Sequence, residues 1–145
     1  MTLTSIERAA IAWECERLIH LYAMLNDAGD FGAMAEMFTE DGVFARPSQG
    51  EVLIRGRAAI LEAYASRPPR FTRHLITSVV VTVEDQDNAR AHSYLSLHTG
   101  QPGEGLPRPA EPSFLIGDFK DRFTRREGAW KFSERLGSLA LKLGG

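Results

Sequence analysis

The chain opens with a pattern of apolar residues typical of a helix. Thr4 and Glu7 have the spacing of a capping box, so the first helix is predicted to begin near Ser5. Apolar residues then recur at steps of four and three, which places them on one face of a helix of five to six turns. These residues are Ile11, Cys15, Leu18, Tyr22 and Leu25, and Asn26-Asp27-Ala28-Gly29 ends the helix.

Shorter elements are predicted next. Asp30 is a suitable N-cap for a second helix, whose apolar residues run to Phe38 before the turn residues Glu40-Asp41-Gly42. The predicted elements that follow are two short strands at 43–46 and 51–55 around the turn 47–50, and a third helix over 57–66 that Pro68-Pro69 stops.

From Phe71 onward the pattern of apolar residues becomes that of strands. Four strands are predicted, at 71–83, 89–99, 114–125 and 129–136, with turn residues at 84–88 and 126–128. Helices followed by a long antiparallel meander predict an α+β fold, with the helices packed on one side of a curved sheet. Such an arrangement can enclose a cavity.

Two stretches lie outside these elements. Residues 100–113 hold four of the seven prolines and three glycines, so they are predicted to form an irregular loop, which is either a lid, a contact loop or a solvated segment. In residues 137–145 leucines alternate with other residues. That tail is too apolar to stay in water, so we expect it to cover the sheet, a pocket mouth or a neighbouring subunit.

Composition and charge narrow the class of protein. The 145 residues suit one domain, 1–145, and a net charge of -2 without a run of Lys or Arg argues against a nucleic-acid partner. No apolar run approaches the roughly 20 residues of a membrane span, and the N-terminus lacks the pattern of a secretory signal. A single cysteine excludes an internal disulfide. A cytoplasmic location without membrane attachment is therefore expected.

The remaining chemistry centres on His74, at the start of the first long strand. Histidine exchanges protons near neutral pH, and a nearby carboxylate such as Asp27 can orient the ring and fix its tautomer. Tyr22 lies on the inward face of the first helix and can donate a hydrogen bond to a substrate oxygen. Each of these residues also has a purely structural interpretation. No metal-binding, nucleotide-binding or serine-nucleophile motif is present, so no metal and no cofactor are expected.

The order of elements resembles the SnoaL-like branch of the nuclear transport factor 2-like superfamily. The resemblance rests on residues 22–30, on Phe38-Thr39-Glu40-Asp41-Gly42, on Arg73-His74 and on residues 125–132. It implies a cone-shaped, cystatin-like barrel with a cavity, and assembly into dimers or trimers. Within the superfamily the chain looks most like the scytalone dehydratase group. This resemblance implies catalytic roles for Asp27 and His74, and for Tyr22.

The same resemblance implies residues that bind a small-molecule substrate. Asn26 stands where scytalone dehydratase has a tyrosine, and Arg46 stands where the ketosteroid isomerase branch has its carboxylate base. His98 matches a further polar position of the dehydratases, and Tyr94 shares its strand face. The hypothesis is a cofactor-independent lyase of the dehydratase kind that acts on a small cyclic hydroxylated compound. Arg46 argues against the isomerase mechanism in its usual form. The alternatives are a non-catalytic scaffold subunit, like the β subunits of dioxygenases, and an isomerase or cyclase that uses the same residues.

Overall fold

A computed structural model describes residues 2–144. Three helices precede or interrupt the first strands, and four long strands complete the chain, as predicted. The helices are α1 (Ser5–Ala28), α2 (Phe31–Glu36) and α3 (Arg57–Ala65), and the strands are β1 (Phe38–Ala45), β2 (Ile54–Arg55), β3 (Thr72–Val83), β4 (Asn88–Thr99), β5 (Phe114–Arg126) and β6 (Ala129–Leu143). The six strands form one sheet in the order β2-β1-β6-β5-β4-β3, antiparallel except for the β1–β6 pair. The predicted α+β fold is therefore confirmed.

Helix α1 begins and ends where the sequence predicts. The Thr4 hydroxyl accepts from the backbone N–H of Glu7 at 3.1 Å, and the Glu7 carboxylate accepts from the Thr4 N–H at 2.8 Å. Gly29 ends the helix with a φ of +76°, which suits a residue without a Cβ atom. Arg8 near the start of α1 contacts Val83 at the end of β3. The two elements therefore run in opposite directions, and the end of α1 lies over the start of β3.

The second helix is shorter than predicted. It ends at Glu36, so Phe38 lies in β1 rather than on the helix, and the predicted turn 40–42 lies inside that strand. Phe38 pairs in the sheet with Phe132 of β6, and the register shifts between Phe38 and Val43. Because Phe38 and Val43 pair with β6 on either side, Glu40-Asp41-Gly42 form an irregularity within the strand and do not end it.

The predicted apolar tail is part of the sheet. Strand β6 continues past Leu136 to Leu143, and Leu141 and Leu143 pair with Ile116 and Phe114 of β5. Leu139 pairs with Gly117, and both residues line the cavity described below. The expectation of a separate segment that covers the sheet is therefore wrong: residues 137–143 extend β6 itself, and Leu139 also lines the cavity.

The loop 100–113 is irregular, as predicted. One isolated bridge, Gly100 with Ala110, closes it, and the Gln101 N–H donates to the Pro109 carbonyl at 2.7 Å. Within the described chain, none of its residues lines the cavity. Its role as a lid or a contact loop stays a prediction.

Candidate active site

Asp27 and His74 form a hydrogen-bonded pair at the point where α1 ends over β3. Asp27 Oδ1 lies 2.6 Å from His74 Nδ1, and Asp27 Oδ2 accepts from the His74 backbone N–H at 3.0 Å. The Thr72 hydroxyl donates to Asp27 Oδ1 at 2.9 Å. Both side chains of the pair are only 11% exposed. Three donors therefore hold the carboxylate in one position against the ring.

The hydrogen bonds also set the charge of Asp27. Burial alone would raise the pKa of its carboxyl, but the hydrogen bonds from the His74 side chain and backbone, the charge of His74 and the Thr72 hydroxyl together lower that pKa below its usual value. Asp27 is consequently ionised at neutral pH. An ionised carboxylate accepts only, so the neutral ring must carry its proton on Nδ1 and present the lone pair of Nε2.

The Nε2 side of the ring faces a cavity. The cavity has a volume of about 70 Å³, which is enough for several waters and thus suits a compact ligand. Its apolar wall includes Ile76, Leu95, Leu97, Leu115 and Leu139, and its polar lining consists of Tyr22, Asn26, Arg46, Ser48, Tyr64, Arg67, Arg70, His74 and Arg135. The Asn26 amide nitrogen lies 3.4 Å from His74 Nε2, a long contact that a ligand can replace.

Tyr22 lies in the cavity wall, hydrogen-bonded to a second tyrosine. Its hydroxyl is 2.7 Å from that of Tyr64 on α3, and both residues are buried among aromatic rings that include Phe44. Burial raises the pKa of both phenols. They are therefore neutral hydrogen-bond donors at neutral pH rather than phenolate bases. Tyr64 was not predicted as a site residue.

A buried arginine completes the inner end of the cavity. Arg135 on β6 is 1% exposed, and its guanidinium lies 3.8 Å from the centre of the Phe119 ring and 4.5 Å from that of Tyr22. Its Nε is 3.6 Å from Oδ1 of Asp121, which is also buried. Within the described residues, the two carboxylate oxygens of Asp121 have no hydrogen-bond partner. The same is true of Nε and Nη1 of Arg135. Burial raises the pKa of Asp121 to about 6.

Arg135 was not predicted as a site residue because of an irregularity in β6. Trp130 and Phe132 are buried, and strict alternation would place Arg135 on the opposite, solvent-facing side. The register between β5 and β6 shifts after Phe132, which returns Arg135 to the inner face. A bulge of this kind leaves no clear pattern in the sequence.

Two of the four expected substrate-binding residues line the cavity, and two do not. Asn26 and Arg46 line the cavity. Tyr94 and His98 do not, contrary to the expectation, because side chains of β4 alternate and it is Leu95 and Leu97 that face inward. Tyr94 is 46% exposed and lies edge-on to His92, whereas His98 stacks on Phe114 and hydrogen-bonds to Ser96.

Among residues 2–144, no three His, Cys, Asp or Glu side chains come close enough together to hold a metal ion. Over the same residues, no helix is long and apolar enough to cross a membrane.

The protein is a cone-shaped α+β domain in which three helices pack on one curved sheet. A buried carboxylate–imidazole pair, Asp27 and His74, lies at its cavity. Residues 7–136 match the model of the SnoaL-like domain family, and the chain belongs to that family. The predicted relationship is thereby confirmed. No protein of curated function matches the chain.

Three solved structures show the likeness in fold. A candidate scytalone dehydratase from Novosphingobium aromaticivorans DSM 12444 has 20% identity and a TM-score of 0.80, with 98% of this chain and 92% of that one covered. A hexachlorocyclohexane dehydrochlorinase, LinA type 2, has 16% identity and a TM-score of 0.80, with 96% and 91% covered. An NTF2-like protein of cystatin-like fold from Novosphingobium aromaticivorans has 25% identity and a TM-score of 0.69, with 87% and 79% covered. The expected cystatin-like cone is confirmed.

Proposed function

We propose that the protein is a cofactor-independent lyase of the dehydratase kind, acting on a small cyclic hydroxylated compound. The observation that carries the proposal is the 2.6 Å contact between Asp27 and His74 beside a cavity. A carboxylate that fixes the tautomer of a histidine leaves Nε2 ready to accept a proton. The dehydratase and dehydrochlorinase names of two structures with this fold support the same class of reaction.

The reaction is an elimination of water. His74 Nε2 removes a proton from the carbon next to an activating carbonyl group, and the electron pair of that C–H bond moves toward the carbonyl oxygen. Tyr22, with Tyr64 hydrogen-bonded to it and the positive charge of Arg135 beside its ring, stabilises the negative charge on that oxygen. As the C–O bond to the neighbouring hydroxyl breaks, the proton on Nε2 passes to the departing hydroxide. The products are a C=C bond and water, and His74 returns to its starting state.

The same observation separates two candidate functions. A scaffold subunit has no need for Asp27 and His74 to touch, and its cavity can be filled with side chains. The contact between the two residues, the buried Tyr22–Tyr64 pair and the space beside them favour an enzyme. An isomerase or cyclase differs from a dehydratase only in where the proton goes, so the identity of the product distinguishes these reactions.

The test uses proton exchange as well as elimination. The protein is incubated in D2O with small cyclic β-hydroxy ketones, and mass spectrometry follows both deuterium uptake and loss of water. His74→Ala is expected to slow turnover by about 10²–10⁴-fold. His20→Ala is the matched control, because His20 is a half-exposed histidine on α1. A folded His74→Ala protein with full activity would contradict the proposal.

Assembly into a homodimer or homotrimer is part of the same proposal. The outer face of the sheet carries exposed apolar side chains, among them Leu75, Val80 and Tyr94, at 54%, 64% and 46% exposure. Apolar surface of this kind is often covered by another subunit. Analytical ultracentrifugation at micromolar concentration is expected to give a dimer or trimer, and a monomer would contradict it.

A further inference from the structure

Three arginines line the cavity, and two of them, Arg46 and Arg67, lie against the ring of Tyr64. We call Arg46, Arg67 and Arg70 the arginine rim. Arg46 directly follows β1, and the other two lie in the segment between α3 and β3. Arg135 adds a fourth guanidinium further in. Among the described residues that line this cavity, none is an Asp or a Glu.

Among residues 2–144, no carboxylate forms an ion pair with the arginine rim. The ion pairs formed by arginines within residues 2–144 involve Arg57, Arg90, Arg122, Arg125, Arg126 and Arg135. None of them involves the arginine rim. The positive charges are close enough to affect one another: burial lowers the pKa of Arg67, and the charges of Arg70 and Arg46 act in the same direction. Holding like charges together without a counterion is unfavourable, so this side of the cavity favours an anion.

The surroundings of the arginine rim leave donors free for a ligand. Arg46 donates through Nη2 to the Ala63 carbonyl, but its buried Nε has no partner within the described chain. The Arg67 guanidinium lies 4.5 Å from the centre of the Tyr64 ring, which holds it by its face and leaves its N–H edge available. A guanidinium edge matches the two oxygens of a carboxylate or phosphate.

We infer that the substrate carries an oxyanion group, a carboxylate or a phosphate, which the arginine rim binds. The inference rests on the proposed function, since it takes the same cavity to hold the reacting carbon at His74 and the oxyanion at the arginine rim. A neutral compound of equal shape leaves the guanidinium groups unpaired and is rejected. The substrate class is therefore a compact cyclic hydroxy compound with one anionic substituent.

The test measures binding by calorimetry with three one-ring probes: benzoate, phenyl phosphate and the neutral benzamide. The wild-type protein is expected to bind one or both anions about 10–100-fold more tightly than benzamide, the range for charge-assisted hydrogen bonds. The preferred anion then identifies the group as carboxylate or phosphate. Equal binding of benzamide and both anions would overturn the inference.

Variants locate the preference in the arginine rim. The triple variant Arg46→Gln, Arg67→Gln, Arg70→Gln is expected to bind anions no better than benzamide. Arg90→Gln, Arg122→Gln, Arg126→Gln removes the same charge outside the cavity and is expected to keep the preference. Arg46 also donates a hydrogen bond to the Ala63 carbonyl, so replacing it can disturb the fold. Arg70 is exposed, and Arg70→Gln alone is a second variant that is expected to lose a smaller part of the preference for anions. A preference that survives in the folded triple variant, or that the control loses equally, would overturn the inference.

The outcome is separable from that of the proposed function. His74→Gln leaves the arginine rim intact, so it is expected to keep the preference for anions while it loses proton exchange. Anion preference in a wild-type protein without exchange activity would contradict the lyase and leave the anion site standing. Exchange activity without any anion preference would contradict the anion site alone.

Discussion

Two carboxylates on the inner side of this protein are paired with a basic side chain, and they behave in opposite ways. Asp27 accepts three hydrogen bonds, from His74 twice and from Thr72, and its pKa is lowered. Asp121 is buried beside Arg135 without a hydrogen bond in the described chain, and burial raises its pKa to about 6. The formal charge of the partner is therefore less decisive than the number of donors that reach the carboxylate oxygens.

This difference suits different roles. Asp27 is fixed and ionised, which orients the His74 ring toward the cavity. Asp121 lies behind Arg135, whose guanidinium packs on the rings of Tyr22 and Phe119. We interpret Asp121 as the counterion that keeps a cation in the aromatic interior, beside the ring of Tyr22. Substitutions can break either pair separately.

The largest expected effect is on turnover when the first pair is broken. Asp27→Asn removes the ionised acceptor from His74 Nδ1 and allows the wrong tautomer, so turnover is expected to fall by about 10²–10⁴-fold. Steady-state kinetics on a substrate found by the exchange screen measures this. Asp118→Asn, beside a histidine on the outer face of the sheet, is the control. Full turnover in a folded Asp27→Asn protein would show that the carboxylate does not orient the base.

Breaking the second pair is expected to affect stability. Arg135→Met leaves Asp121 buried without a counterion, which costs about 3–5 kcal/mol in free energy of unfolding. Replacing both partners, Arg135→Met with Asp121→Leu, is expected to recover most of that loss. A third variant, Asp121→Leu alone, completes the double-mutant cycle. Urea denaturation of the wild type and the three variants then gives the coupling energy between Arg135 and Asp121. Additive losses would mean that the two side chains do not stabilise each other.

The two pairs also differ in how far the sequence predicts them. Asp27 and His74 lie at the ends of elements whose limits, the capping box at Thr4 and the prolines before β3, are local signals. The approach of these two side chains follows once α1 is placed along β3. Arg135 depends on a shift of register within β6, which results from pairing with β5 and has no local signal.

The substrate side of the site divides in the same manner. Asn26 and Arg46 line the cavity, whereas Tyr94 and His98 share one face of β4 on the side away from the cavity. Alternation along a strand shows which residues share a face, and only the packing of the helices decides which face is inside.

Acid titration is expected to separate the two carboxylates by the sign of their effect. The lowered pKa of Asp27 contributes stability above its ordinary value of 3.8, and this contribution is lost as the pH falls through the lower folded value. The raised pKa of Asp121 has the opposite sign: stability falls as the pH rises from about 3.8 to about 6. The measurement is the difference in unfolding free energy between wild type and each Asp→Asn variant against pH. Slopes of the same sign for both variants would contradict the comparison.

The smallest effect is expected at a third pair. His92 and Asp118 approach to 2.5 Å on the outer face, but their side chains are 46% and 22% exposed. Pairs in contact with water contribute about 0–1 kcal/mol. His92→Gln is therefore expected to change the free energy of unfolding by no more than that, measured by urea denaturation. A loss as large as that of Arg135→Met would mean that another subunit buries this pair.

The most direct measurement of the central claim is the protonation pattern of the His74 ring. Long-range ¹H–¹⁵N NMR of the neutral ring, assigned with the His74→Gln variant, distinguishes the two tautomers. The Asp27 contact at 2.6 Å predicts a proton on Nδ1 and a free lone pair on Nε2 toward the cavity. A neutral ring with its proton on Nε2 would leave no base facing the cavity and would contradict the claim.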